Sequence, residues 1–403
     1  MDKKKILFVD DEPNILSGLK RMLRSLRKEY EFNFAEDGFS ALEMMKNDSF
    51  DIVVSDMRMP GMDGAELLKQ VQTLYPSSIR IMLTGQADEE SVMRTVGVVH
   101  QFLAKPCEPE KLKEIIQNAS ALQNLIHAEK LVNIVNSIDY LPTIPAVYMK
   151  LQERLLSSEA AIDEIGQIIE ADLGLSAKVL QLVNSAFFGL YKKVDSPTRA
   201  VSLLGLDTIK SLVLGTEVFN DSAISSTNIS LEELWSHSFF VGNCAKKIME
   251  ATVQDKEKSD VALLAGMLHD IGKMIMDSQL DVQYRMAVEL KKEKRMSSHT
   301  AEKIIFSASH AEVGAYLVGL WGLNSTVIEG IAFHHNISQY PSNEMSPALA
   351  IHVANALYYE CSKKEPDIEE NRLDVEHITS LGLEQHLDSW REISFKMLEE
   401  GNE

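Results

Sequence analysis

The sequence predicts two folds in series: an α/β domain built on a five-stranded parallel, flavodoxin-like sheet, then an all-α domain. Three observations carry this. Over residues 1–120 short apolar runs alternate with amphipathic stretches, as in chains that wind a parallel sheet. Beyond Pro145 apolar residues recur at intervals of three and four, with few breakers. A chain of 403 residues also exceeds what one hydrophobic core holds.

In the first domain, strands are expected near Ile6–Val9, Glu31–Ala35, Ile52–Asp56, Arg80–Leu83 and Gln101–Ala104. Helices should begin near Pro13, Gly38, Gly64, Asp88 and Glu108, two of them beside an acidic residue that suits the helix dipole. Pro106 and Pro109 flank the last start, where proline is tolerated. That last helix is expected to run on through residues 108–138 as a linker, about 45 Å long if helical throughout. Leu112, Ile115, Ala119, Leu122 and Ile126 follow a 3-4-3-4 spacing along it. Such a stripe suits either packing on its own domain or a coiled-coil seam joining a homodimer.

Residues 139–403 read as helices. Gly174, Gly189, Pro197 and Gly205 interrupt them, Asn220–Ser226 reads as a polar loop, and Lys363–Glu370 as a charged loop. Helical period returns over Val375–Leu398, before a short acidic tail.

Composition excludes several classes. No run of 18 apolar residues is present to span a membrane, and Met1–Lys5 lacks the apolar core of a secretory signal. Three dispersed cysteines (Cys107, Cys244, Cys361) fit free thiols in a reducing cytoplasm. From residue 121 onward 24 Lys+Arg face 40 Asp+Glu, a balance of −16. A nucleic-acid-binding output would carry a basic footprint instead, so neither DNA nor a membrane is expected as partner.

The chemistry begins with residues that follow the apolar runs. Asp10 and Asp11, Asp56, Thr84 and Lys105 each stand at the carboxyl end of a strand candidate. In a parallel sheet those ends meet at one edge, where ligands bind. Three carboxylates there repel unless a divalent cation neutralises them, and hard oxygen ligands suit Mg²⁺. Such a site can take a phosphoryl group onto one carboxylate, because that chemistry needs mainly positioning and charge neutralisation.

The acidic pair, the Val53–Gly64 segment, Leu83-Thr84-Gly85 and Lys105-Pro106 resemble a two-component receiver domain. The resemblance implies Asp56 as phosphoacceptor, with Asp10, Asp11, Asp56 and the Met57 carbonyl as metal ligands. It further implies that Thr84 meets the phosphoryl oxygen, that Lys105 pairs with its charge, and that Phe102 is the switch aromatic. A sensor histidine kinase would be the phosphodonor.

Further along, Leu141–Pro145, Leu175–Leu180, Asn184–Gly189, Ala200–Leu206, His310–Ala315 with Trp321, and His334-His335 resemble the HDOD domain. This is a helical relative of the HD phosphohydrolases, and its members act mostly as regulatory modules. A metal-dependent HD site takes a histidine from one helix, an adjacent His-Asp pair and a later aspartate. Here those positions fall on His237, His269, Asp270 and Asn355, with His310 and His334 as ligands for a second ion. Adjacent His and Asp reach one ion only if the helix breaks there, which Gly272 would permit. Asn355 stands where an HD enzyme carries aspartate, so the site would lose an anionic ligand. Lys273 is a candidate phosphate contact, and His352 is expected to be structural. Tyr340-Pro341 lacks the preceding glycine of the Gly-Tyr-Pro motif found in related cyclic di-GMP phosphodiesterases. The plain alternative is a polar cluster held by internal hydrogen bonds.

The combined expectation is a cytoplasmic response regulator, phosphorylated on Asp56, whose helical output binds a downstream signalling protein. The alternative is an HD-type phosphohydrolase or cyclic-nucleotide phosphodiesterase, using a divalent transition metal and switched by the first domain.

Overall fold

The computed structural model describes residues 3–85, 95, 97–122, 129–138, 145–156, 161–184, 194–206, 208–209, 228–362 and 372–400. The first domain is the expected parallel sheet, in the order β2-β1-β3-β4-β5. Its strands are β1 (Lys4–Val9), β2 (Tyr30–Ala35), β3 (Ile52–Asp56), β4 (Ile79–Thr84) and β5 (Gln101–Ala104). Every residue of β3 and β4 is buried, as an interior parallel strand covered on both faces requires. Register pairs Asp56 with Leu83 and Thr84 with Ala104, so the polar strand ends come level at one edge.

Helices α1 (Pro13–Met22), α2 (Gly38–Asn47), α3 (Gly64–Leu74) and α4 (Pro109–Leu122) are described in this domain. Proline starts α1, and Asp37 and Asp63 cap α2 and α3 by accepting the N–H of Ser40 and Glu66. The helix expected near Asp88 lies outside the described residues.

The linker stripe packs within the chain among the described residues. The buried stripe of α4 is Leu112, Ile116, Ala119 and Leu122, whereas Ile115 is only half-buried. Leu122 packs against Gly319 of the second domain. The helix α5 (Glu129–Asn136) buries Leu131, Val135 and Asn136 within the chain. The described part of the stripe is therefore spent inside the molecule, and Ile126 lies outside the described residues.

The second domain is helical among its described residues. Its first group is α6 (Pro145–Leu156), α7 (Ile162–Glu170), α8 (Leu173–Val183) and α9 (Pro197–Leu204). Gly174, expected as a breaker, lies buried within α8. The second group begins with α10 (Leu231–Thr252), α11 (Lys256–Leu268), α12 (Ile271–Gln279), α13 (Asp281–Lys294) and α14 (Ser298–Phe306). It continues through α15 (His310–Leu320), α16 (Ser325–Phe333), α17 (Pro347–Ser362), α18 (Val375–Ser380) and α19 (Leu387–Glu400). Packing joins α10 to α11 and α17, and α15 to α12 and α16, so six helices converge on one polar pocket. Trp390 on α19 closes the far side of α10, donating its indole N–H to Thr252 Oγ1 at 3.0 Å. The expected loops at Asn220–Ser226 and Lys363–Glu370 lie outside the described residues, as do Gly189 and Leu141–Ile144.

No described helix is long and apolar enough to cross a membrane. Cys107, Cys244 and Cys361 are free thiols.

Candidate functional site

Two polar clusters are built, one at the sheet edge and one inside the helical domain. At the sheet edge Asp10 follows β1, Asp56 ends β3, Thr84 ends β4 and Lys105 follows β5. Lys105 Nζ lies 2.7 Å from Asp10 Oδ2 and also forms an ion pair with Asp56 Oδ1. The other Asp56 oxygen accepts the Arg58 N–H at 3.0 Å, and Asp10 Oδ1 accepts that of Glu12 at 3.0 Å. Burial pushes the Asp56 carboxyl above its ordinary value, although Lys105 pulls it down. Burial also disfavours the Lys105 ammonium, but Asp10 and Asp56 more than offset this and hold its pKa up.

Thr84 is buried with its hydroxyl on the Gly85 carbonyl at 3.3 Å. Phe102 is buried, and Asp11 is exposed on the rim. The Met57 carbonyl accepts the Gly64 N–H at 2.9 Å and closes the loop between β3 and α3. The carboxylate donors fit a hard dication. Asp10, Asp11 and Asp56 carry three formal negative charges against one ammonium.

In the helical domain His237 comes from the second turn of α10. His269-Asp270 falls between α11 and α12, where the backbone leaves helical geometry at Asp270 (φ −101°, ψ 6°). The expected break is present, but Gly272 serves another purpose. It lies within α12, and a Cβ there would stand 2.0 Å from the His310 carbonyl oxygen, so it permits α12 to meet α15.

His310 opens α15, His334 ends α16 with His335 beyond it, and Asn355 lies on α17. His237, His269 and Asp270 bring one ligand atom each within 4.8 Å of one another, and so do His310, His334 and His335. Asp270 bridges the two groups, with Oδ2 3.3 Å from His269 Nε2 and Oδ1 3.2 Å from His310 Nε2.

The tautomers follow from the outer hydrogen bonds. His269 Nδ1 donates to Gly266 O at 2.6 Å, His334 Nδ1 to Ile331 O at 2.7 Å, and His310 Nδ1 to Glu302 Oε2 at 2.6 Å. In neutral rings each Nε2 then turns a lone pair inward. His310 Nε2 stands 3.4 Å from His334 Nε2 and 3.1 Å from His335 Nε2. Lone pairs converging at that range need a proton or a metal ion between them. Burial opposes charge on His310, but Glu302 and Asp270 raise its pKa above the ordinary value, so an imidazolium can fill the role. His237 Nε2, His269 Nε2 and Asn355 Oδ1 are buried without a hydrogen bond.

Lys273 reaches back one turn. Its ammonium lies 2.7 Å from Asp270 Oδ2 and is mostly buried, so it neutralises that carboxylate. His352 is structural as expected, donating to His334 O at 2.9 Å and accepting the Asp374 N–H at 3.1 Å. Tyr340 donates to Glu329 at 2.9 Å. Sequence reasoning missed Glu302, which lies eight residues before His310 on a separate helix, with no motif to mark it. It also left His335 as a neighbour, although its Nε2 stands among the candidate ligands.

Comparison with known proteins agrees with this architecture. Residues 6–117 match the response regulator receiver domain, and residues 141–337 match the HDOD domain. The chemotaxis protein CheY-3 of Vibrio cholerae is 36% identical over 117 residues, covering 27% of this chain and 86% of that protein. An uncharacterized protein of Treponema pallidum is 28% identical over 270 residues, 67% of this chain and 50% of that protein. The receiver domain of an HD domain-containing protein from Pseudomonas fluorescens is 31% identical. It covers 30% of this chain and 98% of that one, with a TM-score of 0.29. The chain belongs to the response-regulator receiver family, with the receiver followed by an HDOD domain. It spans half or less of the length of the first curated relatives it matches.

Proposed function

We propose that the chain is a phosphorylation-switched regulator. Asp56 takes a phosphoryl group from a sensor histidine kinase, and the HDOD domain passes the signal on by binding a downstream protein. The observation that carries this is the Asp10–Lys105–Asp56 ion cluster, level with Thr84 at the sheet edge. An Asp56 oxygen attacks the phosphorus of the donor; the P–O bond to Asp56 forms as the bond to the leaving group breaks. Lys105 moves its charge from carboxylate to phosphoryl oxygen, and the Thr84 hydroxyl turns from Gly85 to donate to another. Mg²⁺ held by Asp10, Asp11 and Asp56 would supply the remaining charge neutralisation. The test is incubation with acetyl phosphate and Mg²⁺ followed by intact-mass measurement. One phosphoryl group is expected on the wild-type chain and none on Asp56→Asn; equal labelling of the variant overturns the assignment.

For the output, burial favours recognition over hydrolysis. Among the described residues His269, His310 and His334 are fully buried, and His237 and Asn355 nearly so, which sets most of the candidate ligands back from the surface. A divalent transition metal in this pocket would be held by His237, His269 and Asp270, with His310, His334 and His335 beside them. Asn355 contributes only a neutral oxygen. Such an ion would tie five helices together. The second reading, an HD-type phosphohydrolase switched by the receiver, draws on the orphaned His237, His269 and Asn355 atoms. It requires the pocket to open and the bound metal to activate water.

A further inference from the structure

Helix α15 begins at the pocket and ends at the receiver, about 14 Å apart from His310 to Gly319. Near its middle the buried Tyr316 hydroxyl donates to Asn136 Oδ1 at 2.9 Å. At its far end the Gly319 carbonyl accepts from Gln101 Nε2 at 3.4 Å. A Cβ on Gly319 would stand 2.2 Å from Leu122 Cδ2, so the Leu122 side chain of the receiver helix α4 seats directly on this glycine.

Asn136 ties the linker to the receiver as well. Its carbonyl accepts from the Arg80 guanidinium and from His100 Nε2 at 3.2 Å, and its amide donates to Ser77 O at 3.1 Å. The Arg80 N–H donates to His100 Nδ1 at 3.0 Å, which leaves the ring proton on Nε2 and directs it to Asn136. Arg80 is anchored in turn by Val98 O at 2.6 Å and Ser78 O at 3.2 Å. Arg80 lies on β4, four residues before Thr84, and Gln101 lies on β5 beside Phe102. The two strands that end in the phosphoacceptor cleft thus also hold α15.

We infer that Asn136 is a latch: its bond to Tyr316 fixes α15, and with it His310, in a position set by β4 and β5. Phosphorylation of Asp56 is then read at the His/Asp pocket. A buried amide bonded on all sides has few alternative arrangements, and a rigid helix carries a shift at one end to the other. The second step rests on the proposed phosphorylation; the latch itself does not.

The test is hydrogen exchange on the full chain, with and without beryllium fluoride and Mg²⁺ as a phosphoryl mimic. Wild type, Tyr316→Phe and Asn136→Ala are compared. In wild type the mimic should shift exchange both in the peptide containing Asp56 and in α15. Tyr316→Phe should keep the first response and lose the second. Even without the mimic, its α15 should exchange about tenfold faster, because Asn136 Oδ1 loses its buried donor. Asn136→Ala removes the same bond from the linker side and should behave alike. An α15 response that persists in both variants overturns the latch, and so does α15 exchange equal to wild type. A wild-type receiver that ignores the mimic defeats the phosphorylation reading, and the tenfold difference then decides the latch alone.

Discussion

At the sheet edge, Asp10 and Asp56 share one Lys105 ammonium beside the exposed Asp11. In the helical pocket, Asp270 is matched by Lys273, and His310 is clamped between Asp270 and Glu302. The first cluster keeps surplus negative charge and a carboxylate beside the rim. The second is already balanced, buried and braced by backbone acceptors on two rings and by Glu302 on a third. One arrangement leaves a nucleophile short of cations, while the other pairs its charges internally and keeps neutral His237, His269 and Asn355 atoms buried beside them. The same residue types therefore point to chemistry in one region and to holding in the other.

Asp56→Asn breaks the comparison at its reactive end. Phosphoryl labelling by acetyl phosphate should fall to background, while thermal unfolding stays close to wild type.

Acid should act mainly on the helical region, which holds five buried neutral rings where the receiver holds His100, also lowered by burial. Burial holds His237 down to about 3 and His299 to about 4, and it lowers His334, His335 and His352 as well. In the unfolded chain these rings take up protons below about pH 6.5. Their contribution is complete above that pH and is lost as the pH falls, at up to about 1.4 kcal/mol per pH unit for a ring held well below its ordinary value. His310 runs the other way: its pKa is raised, so its stabilisation is present at low pH and lost as pH climbs through the folded value. Five rings outweigh one. Urea unfolding at pH 5 should show a helical region weaker by several kcal/mol than at pH 7; equal stability at both would contradict neutral buried rings.

Asp270→Ala removes the centre of the pocket and leaves Lys273 and His310 facing each other without their shared partner. A loss of about 3–5 kcal/mol is expected, read by chemical denaturation. A smaller loss, about 1–3 kcal/mol, is expected for Gly319→Ala, which forces α15 from Leu122. It should loosen the domain junction and leave Asp56 labelling intact.

The receiver was legible almost to the residue, because a parallel sheet turns sequence order into one edge. An apolar run ending in Asp56, Thr84 or Lys105 already fixes where the polar group stands. The output was legible only where motifs place residues side by side, as in His269-Asp270 and His334-His335. Glu302 and His310 meet through helix packing, and no spacing announces it. The bonds that Met57 makes to Gly64 and Lys273 makes to Asp270 are set by local turns, and no spacing announces them. The 3-4-3-4 stripe of the linker identified a buried helix, but not what buries it. Gly319, on a helix nearly two hundred residues away, supplies that surface.

The most direct measurement of the central contrast exposes one sample to acetyl phosphate, Mg²⁺, Mn²⁺ and cyclic di-GMP with a generic phosphodiester, following both reactions together. The account predicts one phosphoryl group on Asp56 and less than one turnover of either diester, whether or not Asp56 is labelled. Turnover that appears only in Asn355→Asp would agree, marking a frame that lacks one anionic ligand. Multiple turnovers by the wild-type chain, abolished in Asp270→Ala, would contradict it and make the pocket an enzyme.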